Sequence, residues 1–541
     1  KIMKPAIYIN KGLESIEKAF INEFNRLGLS FDSDLFKKAY NKAWKANNDF
    51  QEKLHKIGRE TLKKLGNKPT IVVLGRPYSS YDSRTNLNLF ATFSRLGVYA
   101  IPQEFFDLSE YEIEKEYSNM YWGFGNKILR AAKFINENKQ LFGLYLTSFS
   151  CGPDSFILHF FSHEMNKTGR PYLELELDEH SAGAGVETRL LAFIDAIKNQ
   201  KSVQTLSDKE INIISKKSEA PLTSRTMYMP HMCDGVACLA ACFENIGVKT
   251  EIMPTYTEKG LAFGKKNTSG KECFPCIVTT GDMFNQIEIL QKQGADIKND
   301  IAFFMPEAEG PCRFGQYNKL HRILLDKYGY SDIPIISPTC EDSYSCRGLI
   351  KPEILTSFKM LVCQAIVYQD ILEKARWHIR PYEKIKGTTD RVFFKAIDNA
   401  IHAIRAGGGL ILIKEAKKAA HEFENIEIYD DKKPLVGIIG EIFVRVHQES
   451  NQHLIRHLES MGCEGYISSI SEWISYTADT SLGYALDEIK EEKSFSNFLN
   501  AAASFGAYSY QAFITKVLMH PFKKLLTKRQ DHSTKHILEA V

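Results

Sequence analysis

Short apolar runs closed by glycine or proline, each followed by a helix-periodic stretch, recur along this chain and limit its fold more than any other feature. Thr70-Ile71-Val72-Val73-Leu74-Gly75 is the clearest, ended by Gly-Arg-Pro and followed by a helical pattern to Leu96. A run with no polar alternation suits a strand buried on both faces, and strands that alternate with helices pair in parallel. Further strands are expected over 98–102, 141–149 and 172–177, with helices over 121–138 and from about Ser155. A second series has strands over 226–229, 251–254, 301–305 and 333–337, and helices over 235–245, 277–293, 316–327 and 353–374. At 541 residues the chain has room for three or four domains of about 150 residues. The expected fold class is α/β, with repeated parallel-sheet units behind a helical N-terminal segment.

The spacing divides the chain into a helical segment over 1–68, a first α/β unit over 69–210 and a second over 225–375. A helical connector over 376–434 and a third, less regular α/β unit over 435–541 follow. The polar, Lys/Ser-rich stretch 201–224 reads as a helix end and linker. Lys+Arg 69 against Asp+Glu 66 leaves a net charge of +3, too little for a surface built to grip nucleic acid. No apolar run is long enough to span a bilayer, and the start lacks an apolar signal core, so no membrane association is expected and the location is read as cytoplasmic.

Eleven cysteines, an odd number spread through long sheet-and-helix sequence, argue for a reducing compartment rather than a disulfide scaffold. Open parallel sheets bind ligands at the carboxyl ends of their strands, beside helix N-termini. Cys151 falls there, in Ser150-Cys151-Gly152-Pro153-Asp154, and so does Cys312, in Gly310-Pro311-Cys312-Arg313. Cys273 and Cys276 form a Cys-x-x-Cys just before a helix. A helix N-terminus lowers a thiol pKa, and a thiolate is what iron or zinc binds. An iron–sulfur cluster, structural zinc, and a redox pair or plain thiols all stay open on these residues alone. Cys340, Cys346 and Cys233 also follow strands, whereas Cys238, Cys242, Cys363 and Cys463 read as core residues.

Other candidates carry less. His180, in Asp178-Glu179-His180-Ser181, is a proton donor near a site or a loop residue, and Arg76 and Arg313 are cations placed to meet an anion or to pair with a structural carboxylate. His163-Glu164 lacks the second histidine of a zinc-protease helix. Gly260-Leu261-Ala262-Phe263-Gly264-Lys265-Lys266 lacks the spacing of a phosphate-binding P-loop, so this chain is not expected to hydrolyse ATP by one.

Gly75-Arg76-Pro77-Tyr78, Ser150-Cys151-Gly152-Pro153-Asp154-Ser155-Phe156, Asp178-Glu179-His180-Ser181-Ala182, Ser269-Gly270-Lys271-Glu272-Cys273-Phe274-Pro275-Cys276 and Gly310-Pro311-Cys312-Arg313-Phe314-Gly315-Gln316-Tyr317 resemble the large acyl-CoA dehydratase activase-related proteins. The resemblance runs from about Pro69 to Trp473. It is similar too to the subunits of 2-hydroxyacyl-CoA dehydratases, whose Rossmann-like domains hold iron–sulfur clusters, and to double-cubane cluster reductases. The resemblance implies a Rossmann-like build and a part in ATP-driven delivery of low-potential electrons. The implied cluster ligands are Cys151, Cys273, Cys276 and Cys312, which suit one [4Fe–4S] cluster. A double cubane would need more thiolates, with Cys340 and Cys346 as the extras. The implied partners are an ATP-hydrolysing activase domain or subunit and a low-potential electron donor, with a homodimer possible. A 2-hydroxyacyl-CoA dehydratase-like catalytic subunit and a zinc-stabilised scaffold are the alternative functions.

Overall fold

The computed structural model describes residues 2–148, 151–178, 181–200, 224–308, 310–339, 344–346, 348–491 and 494–526. The chain divides into two compact units, one of Lys1–Glu114 with Trp122–Ser207, the other of Lys115–Tyr121 with Asp208–Val541. The expected linker 201–224 lies, but for Ser224, outside the described residues.

The first unit opens with the helices Gly12–Leu27 and Ser33–Leu65. Asp32 caps the second by accepting from the Leu35 amide at 2.9 Å. Phe20 and Phe36 join the two helices at a ring distance of 5.1 Å. The long helix then meets the loop after the second strand through a gap only glycine fits. A Cβ on Gly58 would lie 1.9 Å from the Phe105 carbonyl oxygen.

Strands β1 (Thr70–Gly75), β2 (Tyr99–Pro102), β3 (Leu141–Ser148) and β4 (Leu173–Leu177) form one sheet in the order β2-β1-β3-β4. Every pairing is parallel, Thr70 facing Tyr99 on one side and Leu141 on the other. β1 is buried along its whole length, as its unbroken apolar run requires. Helices Gly123–Glu137, Asp154–Asn166 and Gly183–Lys198 connect and cover the strands.

The second unit repeats this topology. β5 (Thr226–Met229), β6 (Thr250–Ile252), β7 (Ile301–Phe304) and β8 (Ile335–Ile336) pair in parallel in the order β6-β5-β7-β8. In both sheets the first strand is flanked by the second and third, so successive crossovers leave it in opposite directions. That reversal is the topological switch point at which open α/β sheets form a crevice. The protein is therefore a mixed α/β structure with parallel, Rossmann-like units and a helical start.

Helices Val236–Asn245 and Pro352–Ile379 pack with Thr388–Arg405 and Leu410–Glu424 into the second unit's main core, which includes Phe243, Tyr368, Phe393 and Phe423. Arg376 crosses this core with its guanidinium 4.3 Å from the Phe393 ring centre and 2.6 Å from Asp234. β9 (Leu435–Ile438) and β10 (Glu464–Ile467) form a two-stranded parallel sheet, followed by the helices Ile470–Glu491 and Phe495–Met519. The sequence makes 435–440 a buried strand, yet Leu435 is 49% exposed. A two-stranded sheet has no neighbour to cover both of its faces. Among the described residues no helix is long and apolar enough to cross a membrane.

Candidate metal centre

In the first unit, β1 and β3 lie side by side and end at the switch point, β1 into Arg76 and β3 into the loop of Cys151. The Cys151 amide donates to the Ser148 carbonyl at 3.2 Å, which turns the chain off the strand, and Asp154 then opens a helix. Arg76 reaches across to pair with Asp154 at 2.8 Å, and the Thr147 hydroxyl donates to the other carboxylate oxygen at 2.6 Å. Burial lowers the Arg76 pKa, and the charges of Asp154 and then of Cys151 outweigh it. Burial, then the Asp154 charge, raise the Cys151 pKa, while the Asp154 amide and Arg76 act the other way. The thiol is thus protonated as it stands, and a cation at the sulfur would favour its ionisation.

In the second unit, Cys273 is the N-cap residue of the helix Phe274–Lys292, Pro275 lies in its first turn, and Cys276 is fully buried. The first part of this helix packs closely against the helix Glu258–Lys266, since a Cβ on Gly264 would stand 2.1 Å from the Ile277 carbonyl oxygen. Glu272 folds back to accept from the Ser269 amide at 3.0 Å and the Lys271 amide at 3.1 Å, closing the loop that presents Cys273.

Cys312 is exposed and follows β7 as Cys151 follows β3, the third strand of each sheet. It caps the short turn Arg313–Gln316, which leads into the helix Tyr317–Lys327. One contact brings this turn to the Cys273 loop: Arg313 donates to the Lys271 carbonyl at 3.0 Å. Burial first, then the nearby Cys273 sulfur, raise the Tyr317 pKa. Burial pushes the Cys276 thiol well up, with the charges of Glu272 and Cys273 adding to it and Thr280 and Arg313 opposing. Cys273 and Cys312 thus stand at the starts of a helix and of a short turn, with Cys276 buried in the first turn of that helix, and the three sulfurs do not all fall within 4.8 Å of one another.

The remaining candidates are placed otherwise. Cys340 and His180 lie outside the described residues. Cys346 is buried in the core of the second unit, at a left-handed φ of 54°. Cys233 accepts from the Gln369 side chain at 3.2 Å, and burial raises its pKa. Cys238 and Cys242 lie in the same core, the Cys242 thiol donating to the Cys238 carbonyl. Cys363 is half-buried against that core, and Cys463 is half-buried. Burial lowers the His163 pKa.

Several neighbours of these thiols escape a reading of the sequence. Asn119, in the segment Lys115–Tyr121, donates to Ala308 O at 3.1 Å and to Gly315 O at 3.2 Å, and so clamps both ends of the Cys312 loop. No local pattern foretells a contact across that many residues. Tyr317 was within reach, because it is the last residue of the Gly-Pro-Cys-Arg-Phe-Gly-Gln-Tyr string. His231, His447 and Glu449, whose donor atoms come within 4.8 Å of one another, carry only the weak signals of a histidine just past β5 and a His-x-Glu spacing.

The fold and these thiols define an α/β protein with two parallel sheets of one topology and cysteines at helix starts. Residues 1–106 match the family model described as the CoA enzyme activase uncharacterised domain (DUF2229). This match supports the activase-related family and takes in both N-terminal helices, β1, Arg76 and β2. The strings that hold Cys151, Cys273, Cys276 and Cys312 lie beyond it. Neither the curated proteins nor the solved structures gave a match.

Proposed function

We propose that this chain is the iron–sulfur-binding component of an ATP-driven system that delivers low-potential electrons, the ATPase residing on another domain or subunit. The observation that carries the reading is the placement of Cys273 and Cys276 at a helix start and of Cys312 at a turn tied to the same loop by Arg313, in a chain whose first 106 residues match an activase-related domain. Cys151, past the end of β3 in the first unit, is the fourth ligand that the resemblance implies. A [4Fe–4S] cluster bound by these residues would supply one-electron chemistry. The chain's own part is to place thiolates at helix N-termini, to screen Cys276 from water, and to hold the cations Arg76 and Arg313 near sulfur.

Reconstitution tests this. The anaerobically purified chain should show no ATPase activity alone, and its visible absorption should bleach only when an activase, ATP and a low-potential donor are all added. Bleaching by the donor at the same rate without activase or nucleotide would overturn the ATP-driven role. A protein with stoichiometric zinc and no acid-labile sulfide would instead support the scaffold reading.

A further inference from the structure

β5 ends at Met229, and the chain runs on as Pro230-His231-Met232-Cys233 across the carboxyl edge of the second sheet. From the other side, the helix Ile442–Val446 leads directly into His447-Gln448-Glu449. Here one donor atom from each of His231, His447 and Glu449 falls within 4.8 Å of the other two. His231 Nδ1, His447 Nε2 and Glu449 Oε2 are each buried atoms with no hydrogen-bond partner. The His447 side chain is 0% exposed.

Three buried polar atoms that converge and lack partners need something between them. An ion pair does not serve, because His447 Nε2 and Glu449 Oε2 stand 3.7 Å apart, beyond hydrogen-bonding distance. Neither metal-free tautomer of His447 resolves this. Its Nδ1 lies 2.7 Å from the Ser450 hydroxyl and 3.2 Å from the Ser450 amide nitrogen. If the amide donates to Nδ1, the proton sits on Nε2 and has no acceptor. If Nδ1–H donates to the hydroxyl, the Nε2 lone pair is left facing Glu449 and His231, which is the tautomer of a metal ligand. The ring is already fixed, stacked on Phe443 at 4.7 Å between centres.

We propose that His231, His447 and Glu449 form a binding site for one divalent transition-metal ion of the zinc type, distinct from the thiol set. Two imidazole nitrogens and a carboxylate are a zinc donor set, and three protein ligands leave a fourth position open for water or substrate. Ligands about 2.1 Å from a tetrahedral ion stand about 3.4 Å apart, so the 3.7 Å between His447 and Glu449 closes with little movement. A second carboxylate, the buried Asp282 in the helix Phe274–Lys292, lies within the electrostatic reach of Glu449, and a dication would relieve that repulsion. Gln448, between the two ligands, donates to Asp234 at 2.7 Å and ties their loop to Arg376.

The test is a Co²⁺ titration of the full chain, stripped beforehand with chelator and followed by metal analysis and visible absorption. The component lost in Glu449→Gln should show d–d bands without a sulfur-to-cobalt charge-transfer band. Glu449→Gln and His231→Gln should each weaken it about tenfold or more, with unchanged circular dichroism, and Ser450→Ala should weaken it about tenfold. Wild-type Co²⁺ affinity and stoichiometry in both ligand variants would overturn the site. So would a lost component that carries the sulfur band, or no binding by the wild-type chain.

Discussion

At the scale of single residues, the cysteines separate by what a charge on sulfur would meet. Cys276 is buried near Cys273 and Arg313 at a helix start, whereas Cys238 and Cys242 lie in the main core of the second unit. Cys276→Ser should therefore lose iron, while Cys242→Ser should keep full iron and lose on the order of 1–3 kcal/mol of stability, read by iron analysis and denaturant melts. Glu373 gives a separate test in pH. Burial first, then the charges of Asp370 and Asp234, push its carboxyl up to about 8. The folded chain then holds a proton that the unfolded chain loses above about 4.5. The resulting stability is fully present below that pH and is lost as pH rises through about 8. Glu373→Gln should flatten this fall and stabilise the protein above about pH 8 by on the order of 1–3 kcal/mol. Residue type and position in the sequence were enough to pick out Cys273, Cys276 and Cys312 as neighbours of helix starts. The His231–His447–Glu449 convergence was not legible, because more than two hundred residues separate its halves and neither half is a metal motif by itself.

Among the elements, the strands were the most readable part of the chain. Thr226–Met229 coincides with its sequence-expected span, and the long helices begin within a few residues of theirs, because a buried parallel strand has a strong apolar signature. The helix Glu258–Lys266 was not read, since its apolar face is interrupted by Gly260 and Gly264. Those glycines exist for contact rather than flexibility, as Gly58 does in the long N-terminal helix. Gly58→Ala would place a methyl group 1.9 Å from the Phe105 carbonyl oxygen, so the helix must shift off the turn that follows β2. A loss of about 1–3 kcal/mol is expected, with faster proteolysis within Ser33–Leu65. A melt and cleavage pattern equal to wild type would show that the helix does not dock there.

For the whole molecule, the account joins an activase-related N-terminal stretch to two parallel sheets whose equivalent third strands each end in a cysteine loop. The repeated topology was foreshadowed by the repeated strand-and-helix rhythm, but the strand order was not, because order depends on contacts between distant segments. The central claim is that Cys151, Cys273, Cys276 and Cys312 ligate an iron–sulfur cluster. Iron and acid-labile sulfide analysis of the anaerobically purified chain, beside Cys151→Ser and Cys312→Ser, tests it most directly. The account predicts about four iron and four sulfide per wild-type chain, with loss or conversion of the cluster in both variants. Full iron, full sulfide and an unchanged spectrum in both variants would contradict it.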